Sequence, residues 1–473
     1  MQKKRFLCVV LAIILICSLA LPVYAETTGQ APEMTPLTAE IPVYEATQNK
    51  GDLLELPFMR LPLGAVKATG WLENQLLLQA NGLTGNMKEF NNYNAETSAW
   101  LGSSGDNWEK GPYFMRGLVA LAYALDDEEL IAEAQQWVDA LLNSQREDGY
   151  FGPANNNDWW ARMPALMAIR DYYEATKARG NEDDRVLPFF EKYFRYQAEK
   201  LPGQPLSSWA VARGGDNIDS VLWYYNQVFD DAAPEASQWV MDLAWLLESQ
   251  TQNWTNDYNN TTARHHIVNT TQGLKTPPLL YMMDQQQDYR TGFRNGLFNI
   301  ALDHGRVDDM PNADEAAREN KPIRGTELCA VTEGLLSTEI AAQIWDEAWL
   351  GDKLETMAYN SLPAAFSPDM TAMSYYVQQN QVVAGNGNHD FEQDHFDDTA
   401  YGTHAGFECC YPNCHMGWPK FVQNMWMATK DGGLAAIAYG PNTVQAQVVG
   451  DKTACFVQTT DYPFKNDVTL DYY

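Results

Sequence analysis

Along most of this chain apolar residues recur at three- and four-residue spacing, the period of a helix with one buried face. A helical series opens near Asp106. Its first long stretch, Gly117 to Gln145, stops at Glu147-Asp148-Gly149. Trp159 to Ala178, Val186 to Leu201, Ser220 to Phe229 and Ala236 to Trp254 repeat the pattern. Ile267 to Met283 does so across a Pro277-Pro278 interruption; Tyr289 to His304, Glu327 to Trp345 and Asp352 to Ser361 complete the set. These segments are short, they suit antiparallel pairing, and no strict sequence repeat joins them. A ring of helical hairpins buries such faces. The expected fold is therefore mainly α, an α/α toroid (a six-hairpin-type barrel), with a solenoid as the competing arrangement.

After about Met370 the period falls to two. Met373 to Val383, Leu434 to Val449 and Thr453 to Tyr473 alternate, are rich in Val, Thr and Tyr, and predict strands. Residues 53–430 thus read as the toroid and residues 431–473 as the start of a β-sandwich domain. The alternation stops in mid-strand at Val468 to Tyr473, so that domain is expected to be truncated. Residues 26–52 are Pro/Thr-rich and read as a linker or wrapping arm. Residues 1–25 read as a signal peptide: Lys3, Lys4 and Arg5, an apolar run from Phe6 to Leu21, and a small-x-small site at Val23-Tyr24-Ala25. A membrane anchor is the alternative, for which the apolar run is short. The expectation is a secreted protein.

Composition narrows the partners. At 473 residues two or more domains are expected. A net charge of -30 repels nucleic acid and anionic membranes, and so excludes both as partners after removal of the leader. Aromatic residues make up 12%, which suits sugar rings and large cores alike. Removing the leader takes Cys8 and Cys17 with it. Five cysteines remain, none before Cys329, a poor disulfide framework that a ligand or nucleophile role explains better.

Four of those five lie in two pieces: Gly325-Thr326-Glu327-Leu328-Cys329, and Glu408-Cys409-Cys410-Tyr411-Pro412-Asn413-Cys414-His415 with Met416-Gly417-Trp418-Pro419-Lys420 after it. Glu327 and Cys329 stand two apart, so they do not share a helix face and belong at a helix mouth, with Thr326 as cap. Adjacent Cys409 and Cys410 reach one metal only from a bent loop, which Pro412 supplies. Glu327, Cys329, Cys409 and Cys410 would complete a tetrahedron around Zn2+, with Zn–S distances of about 2.3 Å. A purely structural zinc, a vicinal or Cys409–Cys414 disulfide, and buried free thiols are the alternatives.

These motifs, with Gly105 to Tyr113, Arg213-Gly214-Gly215-Asp216-Asn217, His266-Ile267-Val268-Asn269 and Glu355-x-x-x-Tyr359-Asn360, resemble glycoside hydrolase family 127, the β-L-arabinofuranosidases and their relatives. The resemblance runs from about Leu53 to the C-terminus. It implies an α/α toroid followed by β-sandwich domains, and a retaining mechanism with a zinc-bound cysteine nucleophile and a glutamate acid/base. By position Cys409 is the nucleophile, and Glu327, Cys329 and Cys410 complete the metal site. Glu315, 12 residues before Glu327, falls where one family branch places its acid/base; Asp314 and Glu319 are rivals. Glu355 and Tyr376 match sugar-contacting positions and His266 an active-site histidine. Trp108, His304 and His415 are further candidates to line the cleft. Cys414 departs from the pattern, as a spare ligand or a redox-sensitive neighbour.

The implied chemistry is coherent. Zinc supplies thiolate at neutral pH but draws charge off the sulfur, so Cys409 must loosen during attack or be mainly oriented by the metal. The implied activity is a secreted, retaining exo-glycosidase that releases β-L-arabinofuranose or a related sugar from an oligosaccharide or glycoconjugate. Two other readings stand beside it. One is another α/α-toroid hydrolase or lyase acting on uronic-acid oligosaccharides, with Arg213, Arg264 or Arg306 as the basic partner. The other is a non-catalytic glycan-binding protein with structural zinc.

Overall fold

The computed structural model describes residues 42–473 except 261–265, 380, 404–405, 407 and 449–451. The leader read at residues 1–25 and Arg264 lie outside the described residues. Six helical segments form a closed inner ring by successive contact. They are α2 (Lys110–Leu125), α4 (Arg162–Ala178), α6 (Trp209–Val228), the pair α9 (Ile267–Gly273) and α10 (Thr276–Asp284), α12 (Leu328–Ile344) and α15 (Gly417–Gln423), which returns to α2. Between them run outer helices: α3 (Glu128–Asn143), α5 (Val186–Lys200), α7 (Gln238–Gln250), α8 (Trp254–Asn260), α11 (Gln287–Asn299) and α13 (Ala348–Thr356), with α1 (Gly70–Gln79) beside α2 and α15. The mainly α, α/α-toroid expectation therefore holds, and the solenoid does not.

Sequence explains which helix goes where. Inner α2 is buried at every position from Gly111 to Ala124, and α12 at every position but Gln343, as a helix enclosed on all sides must be. Outer α3 buries only a stripe: Leu130, Glu133, Ala134, Trp137, Val138, Leu141 and Leu142. Alternation of inner and outer helices makes the inner ones parallel. Their N-termini gather at one end of the ring, where unpaired N–H groups and aligned dipoles favour negative charge.

Several expected boundaries shift for physical reasons. The stretch from Gly117 to Gln145 is two helices, because Asp126 adopts a left-handed conformation (φ 56°) and Asp127 caps α3 through Glu129 N and Leu130 N. Pro277 and Pro278 sit in the first turn of α10, where no N–H is needed, and so separate α9 from α10. The predicted Ser220 to Phe229 helix begins eleven residues earlier, at Trp209. Gly214 and Gly215, poor helix formers, are required there: a Cβ on Gly214 would collide with Thr251, and one on Gly215 would meet Thr276 Oγ1 at 2.5 Å.

Three small sheets complete the unit. Strands do not begin only after Met370. β1 (Phe58–Arg60) pairs with β7 (Trp426–Thr429), which pairs with β8 (Leu434–Ala436). β2 (Val66–Ala68) pairs with β9 (Asn442–Val448) in a sheet that continues through β10 (Lys452–Thr460) to β11 (Val468–Tyr472). The third sheet serves the site. β3 (Ala313–Asp314), edged by β4 (Ala316–Ala317), runs parallel to β5 (Gly325–Glu327); β6 (Tyr376–Gln378), the strand found among the described residues of the predicted stretch from Met373 to Val383, pairs Tyr376 with Glu327. Among the described residues no helix is long and apolar enough to cross a membrane.

Candidate active site

Glu327 ends β5 and is the extended residue that precedes α12, and Cys329 sits in that helix's first turn. Cys409 precedes the single turn α14 (Cys410–Asn413). The two turns meet. One ligand atom from each of Glu327, Cys329, Cys409 and Cys410 lies within 4.8 Å of the others. The Cys329 and Cys409 sulfurs are 3.6 Å apart, and Glu327 Oε1 lies 3.5 Å from Cys409 Sγ and 3.6 Å from Cys410 Sγ. All five cysteines among the described residues are free, so the Cys409–Cys414 disulfide does not form. Glu327, Cys329 and Cys410 are buried; Cys409 alone of the four is half-open.

The electrostatics call for a cation. Burial first, then the charges of Glu315 and Cys409, push Glu327 well above the usual carboxylate range, and its buried Oε2 has no hydrogen-bond partner. Cys409 is pushed up, first by its bond to Cys329, and Cys410 first by burial. Only Cys329 is held low, because hydrogen bonds from Cys409 and Cys410 outweigh its burial. Four acidic groups in a dry site compete for charge that a metal ion would balance.

Facing this cluster, Glu315 leaves β3 with φ 73°, an uncommon conformation for a side-chain residue, pinned by Ile267 N–H donating to its carbonyl at 2.6 Å. Its Oε1 accepts from the Tyr375 hydroxyl at 2.6 Å and the Tyr376 hydroxyl at 2.9 Å. Its Oε2 lies 3.2 Å from His266 Nε2. Burial raises the Glu315 pKa, but hydrogen bonds from His266, Tyr375 and Tyr376 win and hold it below the usual value. His266 Nδ1 accepts from Asn269 N, so a neutral ring carries its proton on Nε2, toward Glu315 and, 4.0 Å away, Glu327 Oε2. The His266 ring leans on Trp209, 4.9 Å between centroids.

The rivals of Glu315 are otherwise engaged. Asp314 is buried, accepts from Glu392 N at 2.6 Å and pairs with Arg318 and Arg324; Glu319 pairs with Lys321 and Arg324 at the surface. The candidate basic partners are also held. Arg213 lies between Trp160 and Trp209 and binds Glu109, Tyr113 and Asn269, and Arg306 binds Asp308.

The other predicted contacts divide. Tyr376 is at the site. Trp108 stands just before α2, its indole N–H on Asp158 at 2.6 Å. His415 does not face the cleft: its ring is buried against Phe114 and Tyr411, Nδ1 meets Thr84 Oγ1 at 2.7 Å, and burial pushes its pKa down to about 3. Glu355 also lies elsewhere, held by Tyr462 Oη at 2.5 Å and Tyr439 N at 2.7 Å beside the C-terminal strands. His304 bonds the Arg318 carbonyl, and Cys414 is buried with its thiol on Tyr411 O at 3.3 Å, outside the four-ligand group. Sequence reading missed Tyr375, whose neighbour Tyr376 was found; the signal was a pair of adjacent tyrosines at the start of a short strand.

A family model described as the catalytic domain of GH127 β-L-arabinofuranosidases matches residues 65–423. Among solved structures, one described as a glycoside hydrolase has a TM-score of 0.64 at 15% identity, over 90% of this chain and 70% of that one. A GH127 β-L-arabinofuranosidase from Geobacillus stearothermophilus T6 gives 0.63 at 15% identity, over 86% and 72%. A further GH127 β-arabinofuranosidase gives 0.61 at 15%, over 88% and 69%. At that identity the likeness is one of fold. No curated protein matches the chain.

Proposed function

This chain belongs to the GH127 family of glycoside hydrolases, and on that premise we propose a retaining exo-glycosidase that releases β-L-arabinofuranose or a related sugar. The observation that carries the reading is Cys409, the one partly exposed residue of the four, linked to a carboxylate, Glu315, through the shared hydroxyl of Tyr375. We propose Cys409 as nucleophile, Glu315 as acid/base, and His266, Tyr376 and Trp108 as sugar contacts.

Glu327, Cys329, Cys409 and Cys410 are the proposed zinc ligands. Their fit is geometric: Zn–S bonds of about 2.3 Å imply sulfur–sulfur edges of about 3.8 Å in a tetrahedron, against 3.6 Å here. Bound there, zinc supplies the positive charge that keeps the thiols ionised. In the first step the Cys409 sulfur attacks the anomeric carbon, the bond to the leaving oxygen breaks, and Glu315 gives that oxygen a proton. In the second, Glu315 takes a proton from water, the oxygen of which replaces sulfur at the same carbon, and two inversions give net retention. The three donors around Glu315 favour the ionised form needed for the second step. The proton that Glu315 takes from water in the second step is the one it gives to the leaving oxygen in the first step of the next cycle.

A screen of aryl β-L-arabinofuranosides and other aryl glycosides, with and without a chelator, tests the assignment. Chelator-sensitive turnover of the arabinofuranoside, restored by zinc, supports it; turnover of unsaturated uronides instead would move the chain to the uronic-acid reading. We also propose an extracytoplasmic setting from the leader read at residues 1–25, to be checked by N-terminal sequencing of the exported protein.

A further inference from the structure

The thiols come from two segments 80 residues apart, and one buried side chain ties those segments together. Arg116, on α2, is fully buried. Its Nη2 donates to Glu333 Oε1 at 2.5 Å and to Asn413 Oδ1 at 2.7 Å. Glu333 lies four residues after Cys329 on α12, and Asn413 four residues after Cys409 on α14. Each is one helical turn beneath a thiol. Asn413 N–H also donates to Cys409 O at 3.3 Å, so the side chain and the turn that carries Cys409 move as one piece. The second oxygen of Glu333 takes Lys275 Nζ at 3.2 Å, and Lys275 in turn pairs with buried Asp216. Asn413 Nδ2 lies 3.4 Å from Glu333 Oε1, which fixes the orientation of the amide.

We propose that Arg116 is a positioning residue for the metal site: through Glu333 and Asn413 it sets the approach of Cys329 and Cys409. Its guanidinium donates to Glu333 and Asn413 and not to the thiols. Both acceptors meet one nitrogen, Nη2, held by a rigid planar group that is always charged, whereas a lysine at the same place would bring a rotatable ammonium on a flexible stem. Outer partners of this kind orient metal ligands, and their loss typically costs about 10- to 100-fold in affinity.

The inference rests on the zinc reading and is tested by chelator competition on the whole protein, beside a thermal melt. Arg116→Met and Asn413→Ala should each weaken zinc about 10- to 100-fold, with Arg116→Lys between them and wild type. The reference is Arg170→Met, which removes another buried arginine of the inner ring, paired with Asp219 at 2.5 Å. It should lower the melting temperature and leave zinc affinity unchanged. In cobalt-loaded protein the thiolate charge-transfer bands should shift in the Arg116 and Asn413 variants only. If Arg116→Met does not fold, Asn413→Ala, which keeps the Arg116–Glu333 pair, is read in the same way. Variants that hold zinc as tightly as wild type, or an Arg170→Met that loses it equally, overturn the clamp. A wild type that takes up no zinc overturns the metal reading beneath it.

Discussion

The Tyr375 hydroxyl donates to Glu315 Oε1 at 2.6 Å, and its other neighbour is the Cys409 sulfur at 3.8 Å. One phenol thus stands between the proposed acid/base and the proposed nucleophile. Burial pushes its own pKa well up, so it stays a donor at any working pH.

Tyr375→Phe removes one of the three donors that hold Glu315 low. The Glu315 pKa should therefore rise, and the alkaline limb of the kcat/KM profile, which reports the protonated acid of the first step, should move to higher pH. A loss of about ten-fold or more in kcat/KM is expected. The pH–rate profiles of wild type and variant check this; an unmoved limb would separate Tyr375 from Glu315.

Glu315→Gln should slow substrates with poor leaving groups most, since activated aryl glycosides need less protonic help in the first step. A plot of rate against leaving-group pKa should steepen in the variant. Equal losses across the series, or a larger loss from Glu319→Gln, would move the role.

Glu333 gives a pH-dependent stability of known sign. Burial raises its pKa, but Arg116 and Lys275 outweigh that and hold it down to about 2, against an ordinary 4.5. A depressed carboxylate contributes fully above its ordinary value and loses that contribution as pH falls through the folded value. The melting temperature should therefore drop between about pH 4.5 and pH 2. Glu333→Gln should flatten this slope while costing about 3 kcal/mol or more at neutral pH, because it leaves two buried cations underpaired. Calorimetry across that range reads both effects.

The helical ring was legible because inner and outer helices differ in how far their apolar residues wrap around, a property of sequence alone. Its joints were less so. Asp126-Asp127 reads as an exposed face until its left-handed turn is seen, and β1 and β2, three residues each, are too short to show a period. The group of Glu327, Cys329, Cys409 and Cys410 was legible because few residue types offer metal ligands and these four stand in two short motifs. The contacts implied by the family resemblance and the further cleft candidates fared unevenly: His266 faces Glu315, whereas Glu355 and His415 turn away, since a motif fixes position along the chain and not the direction of a side chain. Arg116, Glu333 and Asn413 were invisible for a different reason. Arg116 and Glu333 carry no signal of their own and Asn413 stands in the cysteine motif without a sign of its partner; only the fold shows that their charges and dipoles meet.

Metal analysis of purified protein should give about one zinc per chain. Removing it should lower thermal stability, and zinc at a hundred times its Kd should restore about 2.7 kcal/mol. Metal-free protein with unchanged activity and melting temperature would leave the four ligands without their proposed role.

Covalent trapping addresses the central claim most directly. A cyclophellitol-like electrophile shaped as an arabinofuranose is incubated with the protein, which is then digested and mapped by mass spectrometry, with Cys409→Ser assayed for rate and zinc content alongside. The expected result is a single label on Cys409, none on Cys410 or Cys414, and a loss of activity by orders of magnitude in a Cys409→Ser protein whose zinc content is known. A label on a carboxylate, or substantial turnover by Cys409→Ser, would contradict it and leave the thiols as metal ligands alone.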